Sequence, residues 1–113
     1  MRKINQQVLA AMQQKLERKL AANTYTQNEL FDFEGVTEFC TVLYLHGSKI
    51  AASPTGSNKL YICNAGYETN VTKDRLNVLG AGIYVRAGIW YWKDHETFPN
   101  NTWIATQLPL NTF

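Results

Sequence analysis

The chain has 113 residues, a size that fits one domain with a single apolar core and needs neither disulfides nor a structural metal. Apolar residues make up 45% and charged residues 18%, which excludes an intrinsically disordered chain. The net charge of +2 is too small to mark a nucleic-acid partner by itself, and no apolar run approaches the length of a membrane span.

Residues 2–21 are expected to form a long amphipathic helix within an N-terminal unit of residues 1–24. Ile4, Val8, Met12, Leu16 and Leu20 recur every four positions, which gives one apolar stripe. Lys15, Arg18 and Lys19 would suit the C-terminal end of its dipole. The stripe is expected to pack on the protein's own sheet, with pairing against a second copy as the alternative. The chain is therefore expected to be a monomer or a homodimer. Bases outnumber acids over residues 1–28, whereas residues 29–38 carry Glu29, Asp32, Glu34 and Glu38 and no base. Such charge either solvates a face or meets a partner of opposite sign.

From Tyr25 the period changes to two. Glu34-Gly35 is a turn signal, and residues 39–46 are largely apolar on both alternations, as expected of a central strand covered on both faces. His46-Gly47-Ser48 turns the chain, with a positive φ expected at Gly47, and residues 49–52 run back. Ser53 to Asn58 is a loop, and residues 59–63 are another strand, so an antiparallel meander is the simplest path. Thr72 is the expected N-cap of a short helix over 72–79, closed by Gly80. Residues 81–86 and 89–93 form a hairpin across Ala87-Gly88. Its alternation is expected to place Ile83, Val85, Ile89 and Tyr91 in one register, and Tyr84, Arg86, Trp90 and Trp92 in the other. Whether Trp90 and Trp92 are core or binding surface stays open. The tail from 94 to 113 holds a possible last strand at Trp103-Ile104-Ala105. The expected fold class is α+β, a single domain over 1–113, with the sheet and short helix spanning 25–93.

Little in the sequence points to catalysis. No nucleophile elbow, phosphate loop or dinucleotide fingerprint is present. Cys40 and His46 lie along one strand about 20 Å apart at normal rise, too far to act together. Cys40 and Cys63 lack zinc-ligand spacing and are expected as buried, free thiols, with a disulfide between neighbouring strands as the alternative. Asp94-His95-Glu96 are adjacent and do not converge on one point, so a solvated loop is expected there. A non-enzymatic protein without a cofactor is the expectation, located in the cytoplasm because residues 2–20 lack the apolar region of an export signal.

Two segments carry more information. Leu45-His46-Gly47 with Ile50-Ala51, and Thr69 and Thr72 with Arg75-Leu76-Asn77, resemble a pattern in small proteins of tailed bacteriophages. The matched stretch spans residues 42–79, Tyr67 fits an aromatic position before the threonines, and the threonine spacing is one residue longer than the pattern. The resemblance implies a phage origin and a compact fold, and transfers no catalytic residue.

The leading functional expectation is a phage accessory protein that contacts nucleic acid. Lys49, Thr72, Lys73, Arg75 and Asn77 are the candidate binding residues, because donors and bases gather at a helix start where the dipole favours phosphate. Exposed Tyr84, Trp90 and Trp92 would stack bases. The alternative is a modulator of a host protein, with the acidic or the aromatic hairpin as its surface.

Overall fold

A computed structural model describes residues 3–109. In chain order its elements are α1 (Lys3–Gln14), β1 (Arg18–Ala21), β2 (Thr24–Phe33), β3 (Val36–Leu45), β4 (Ser48–Pro54), β5 (Lys59–Ile62), α2 (Asn70–Val78), β6 (Tyr84–Arg86), β7 (Ile89–Trp92), β8 (Glu96–Thr97) and β9 (Ile104–Gln107). The fold is α+β but mostly β. A six-stranded antiparallel sheet has the order β1-β2-β3-β4-β5-β9, and a small sheet has the order β6-β7-β8. The meander and the late strand at Ile104 follow the expectation from sequence. Residues 1, 2 and 110–113 of the expected N-terminal helix and C-terminal tail lie outside the described residues.

The N-terminal helix is shorter than expected, at 12 residues. It ends in a Schellman arrangement: Lys15 takes φ 58° and the Leu16 N–H bonds back to the Ala11 carbonyl at 3.0 Å. β2 secures the exit. Thr26 Oγ1 donates to the Leu16 carbonyl and accepts from the Arg18 N–H. The four-residue spacing continues past Gln14, yet Leu20 meets the core from β1 and not from a helix.

The sheet's two faces are covered differently. On one face, Val8 and Met12 of α1, Leu76 of α2 and Leu79 at its C-cap pack against Leu43, Leu45, Ile50, Leu60 and Ile62. On the other, neither helix contributes. Cys40, Val42 and Ala52 on β3 and β4 are nevertheless buried there. Their side chains are small, and the rings of Phe31 and Phe33 reach across them to Tyr61, with centroids 5.9 and 4.3 Å away. Trp103 meets Phe31 edge-on. Aromatic rings thus roof this face.

Two local expectations are corrected. α2 begins at Asn70, because Thr69 is the N-cap and accepts from the Thr72 N–H at 3.2 Å. Thr72 is therefore inside the helix. Gly80 does take the left-handed conformation, at φ 94°. In the aromatic hairpin the pairs are Tyr84 with Tyr91, Val85 with Trp90 and Arg86 with Ile89. Facing residues share a face, so the expected register was one residue off. Ile83, Trp90 and Trp92 are core, while Tyr84 stacks on Tyr91 outside.

Candidate functional site

The five residues expected to bind nucleic acid do not assemble on one surface. Lys49 and its pairing partner Tyr44 lie on the ring-roofed face, and Lys49 Nζ is 3.0 Å from the Glu29 carboxylate. α2 packs on the opposite face. Asn77 is committed to the chain that follows its helix: its amide donates to the Ile83 carbonyl and accepts from the Ile83 N–H. Thr72 is buried, with its hydroxyl 3.0 Å from that of Thr69.

Arg75 is the clearest correction. The side chain was expected outside the core, but the residue is only 5% exposed. Its Nη1 donates to Asn5 Oδ1 at 2.7 Å and its Nε to Thr24 Oγ1 at 3.5 Å. A buried guanidinium needs such partners, because desolvating it without them is very unfavourable. Asn5 sits on the buried side of α1 with Val8 and Met12 and supplies the acceptor there. Arg75 therefore ties α2 to α1 and β2. Lys73 remains half-buried on the outside of α2.

The two motif segments do meet. Leu45, His46 and Ile50 on one side and Tyr67, Thr69, Val71 and Thr72 on the other line a mostly apolar pocket of about 250 Å³. His46 takes φ 51° and Gly47 φ 80°, as a two-residue hairpin turn requires. The His46 N–H bonds to the Asn23 carbonyl at 2.8 Å, which carries the β2–β3 ladder up to the turn. The expected structural role of Gly47 matches this geometry. Among the described residues no group of His, Cys, Asp and Glu is placed to hold a metal. Both cysteines are free and buried, and burial pushes the Cys40 thiol up to about 11, where little thiolate forms at neutral pH.

The surface that stands out is the outer half of the β2–β3 hairpin. Leu30 and Phe39 face one another across the strands and are 67% and 53% exposed. Val36, at the turn end of β3, is also exposed. Asp32 shares the face of Leu30 and Phe39, and its carboxylate accepts from the Gly35 N–H and the Thr37 hydroxyl. Glu34 sits at the turn. On the reverse side Glu29 and Glu38 accept from the hydroxyls of Tyr44 and Tyr61. Burial pushes the Glu29 carboxyl up, but the hydrogen bonds from Tyr44 and Lys49 and the Lys49 charge outweigh it and leave its pKa below the ordinary value. Residues 29–38 thus combine unusual apolar exposure with four carboxylates. The sequence held one usable signal, since Leu30 and Phe31 are both large and apolar and one of them must face outward on a strand.

The sequence model of the family described as Kyanoviridae Gp96 protein matches residues 1–108. The chain belongs to this family. It is a phage protein family, which agrees with the phage origin expected from the two segments. No curated protein matches the chain, and no solved structure matches it. No described helix of this family member is long and apolar enough to cross a membrane.

Proposed function

We propose that the protein is a non-enzymatic phage binding module that modulates a host protein, and that the β2–β3 hairpin is its contact surface. One observation carries this reading: a facing pair of large apolar side chains, Leu30 and Phe39, stands in solvent on the outer half of the hairpin. Water-exposed apolar pairs of this kind favour burial against another surface. The acids around them disfavour phosphate and leave the nucleic-acid alternative to half-buried Lys73 and to exposed bases elsewhere, such as Arg18, Lys19, Lys59 and Arg86. Arg75, which that alternative needs, is engaged inside the fold.

The test compares the wild type with a Leu30→Asp/Phe39→Asp double variant in capture from host lysate, with and without nuclease. A protein retained by the wild type, lost by the variant and unaffected by nuclease is the expected result. Fluorescence anisotropy with DNA and RNA at two salt concentrations is the counter-test. Salt-sensitive binding that survives in the double variant and disappears in Lys73→Glu would replace the proposal with the nucleic-acid reading.

A further inference from the structure

β2 has ten residues and β1 has four. β1 pairs with β2 only at Thr24, Tyr25 and Thr26. Among the described residues no strand pairs with the outer side of β2 beyond Thr26. The direction of the unpaired groups follows from one bond. The Asn28 N–H donates to Glu17 Oε1 at 2.9 Å, so it points away from β3. Main-chain groups on a strand repeat their direction every second residue. The N–H and C=O of Leu30 and Asp32 therefore point outward as well. Glu17 caps the first outward donor, and the next two lie beyond it.

An edge of this kind is a template for another strand unless something blocks it. β2 carries no proline and no lysine. A strand added here would lay alternate side chains beside Leu30, on the face that also exposes Phe39. The surrounding charge selects the occupant. Two copies of this edge paired near the hairpin tip would bring Asp32 and Glu34 against the same acids of the other copy, and like charges across strands destabilise pairing. A segment with lysine or arginine meets the opposite sign.

We infer that the outer edge of β2 at Leu30 and Asp32 accepts an extended, basic segment of a partner protein as an added strand. This rests on the binding role proposed above and gives it a mode. The added strand completes a ladder that β1 leaves half made, and its apolar side chains cover Leu30 and Phe39.

The probe is a synthetic peptide of alternating lysine and valine, with a glutamate–valine peptide as the charge-reversed control. Both are titrated against the full chain labelled with nitrogen-15. The lysine peptide should slow hydrogen exchange at the Leu30 and Asp32 amides and leave Phe31 and Phe33, whose amides face β3, unchanged; the glutamate peptide should do neither. Leu30→Pro removes an outward N–H while sparing the β3 ladder, and should weaken peptide binding about tenfold more than Leu30→Ala does. If the proline variant misfolds, exchange in the unmodified chain decides the question. Equal weakening by both variants, with the Leu30 and Asp32 amides still exchanging, would overturn strand addition and leave side-chain docking on the hairpin standing. Lack of binding by the lysine peptide overturns the basic occupant. A concentration-dependent dimer that protects the same two amides assigns the edge to a second copy and also overturns it. Separate failure of the lysate comparison above would remove the binding role itself.

Discussion

The inner and outer halves of the β2–β3 hairpin are made from the same two strands and solve opposite problems. In the inner half, Thr24 and Thr26 face Leu45 and Leu43, and all four are buried in the same region as α1. In the outer half, the same face presents Leu30 and Phe39 to water. The difference is one of length. A helix of 12 residues is about 18 Å long, whereas a strand of ten spans roughly 33 Å. α1 stops at Gln14 and the chain reverses through Lys15, so among the described residues no helix on that face follows the strands outward. The covered half serves the fold, and the bare half is available for contact with something else.

The sharpest way to break this comparison is to put a charge in the covered half. Met12 is fully buried against the sheet. Met12→Asp should lose about 4 kcal/mol or more and leave little folded protein, read by thermal denaturation. A stable variant would show that α1 is detachable. Next comes the buried arginine. Arg75→Ala should cost about 2–4 kcal/mol, because it leaves Asn5 and Thr24 without their cation and opens a void between the helices and β2. Chemical denaturation measures it. A loss below 1 kcal/mol would free Arg75 from this structural role. Gly47→Val should be milder, about 1 kcal/mol, since the site is open around a Cβ and the strain is confined to its φ of 80°. In the bare half, Leu30→Asp and Phe39→Asp should change stability by about 0.5 kcal/mol or less. A large loss would mean that the outer half is part of the core after all.

The smallest effect is in pH. Glu29 has a lowered pKa, so its contribution is present above the unfolded value near 4.5 and is lost as pH falls through the folded value. Tyr44 has its pKa raised by burial and by the hydrogen bond and charge of Glu29. Stability should fall as pH rises above the tyrosine's ordinary value of 10.0, where the unfolded chain ionises first. The gap in Tm between the wild type and Glu29→Gln should therefore be widest between these limits and close toward acid. A gap that persists at pH 3 would assign the effect of Glu29 to packing.

The central strands were largely legible because Phe39 to Leu45 are largely apolar on both alternations, as in a strand covered on both faces, and because Glu34-Gly35 and His46-Gly47 mark the turns between them. The end of α1 was not legible. Its stop uses a lysine in a left-handed conformation and a threonine eight residues after Arg18, and neither disturbs the four-residue apolar spacing. The hairpin register failed by one residue because alternation gives two faces but not which strand residue opposes which. The two-residue turn at Ala87-Gly88 settles that only once Arg86 is paired with Ile89. For the site, charge and sequence position made Arg75 look like a surface cation. Its inward direction depends on Asn5, seventy residues away. The exposure of Leu30 and Phe39 depends in turn on where α1 ends, so an error about the helix hid the surface.

Asn64 has a wider consequence. Its side chain is fully buried; its Oδ1 accepts from the N–H groups of Gly66 and Asn101, and its amide donates to Asn100 Oδ1. These residues sit at the two ends of the long excursion that leaves the sheet after β5 and returns as β9. One amide therefore ties the neck of what is, in outline, an insertion into a plain meander. The excursion carries α2 and the whole second sheet, while the hairpin lies outside it. Closing such a loop costs entropy that grows only slowly with its length. Exposed turns within the excursion can therefore be lengthened at little entropic cost without altering the hairpin edge, so long as the neck and the core contacts of α2, Trp90, Trp92 and Phe98 are kept.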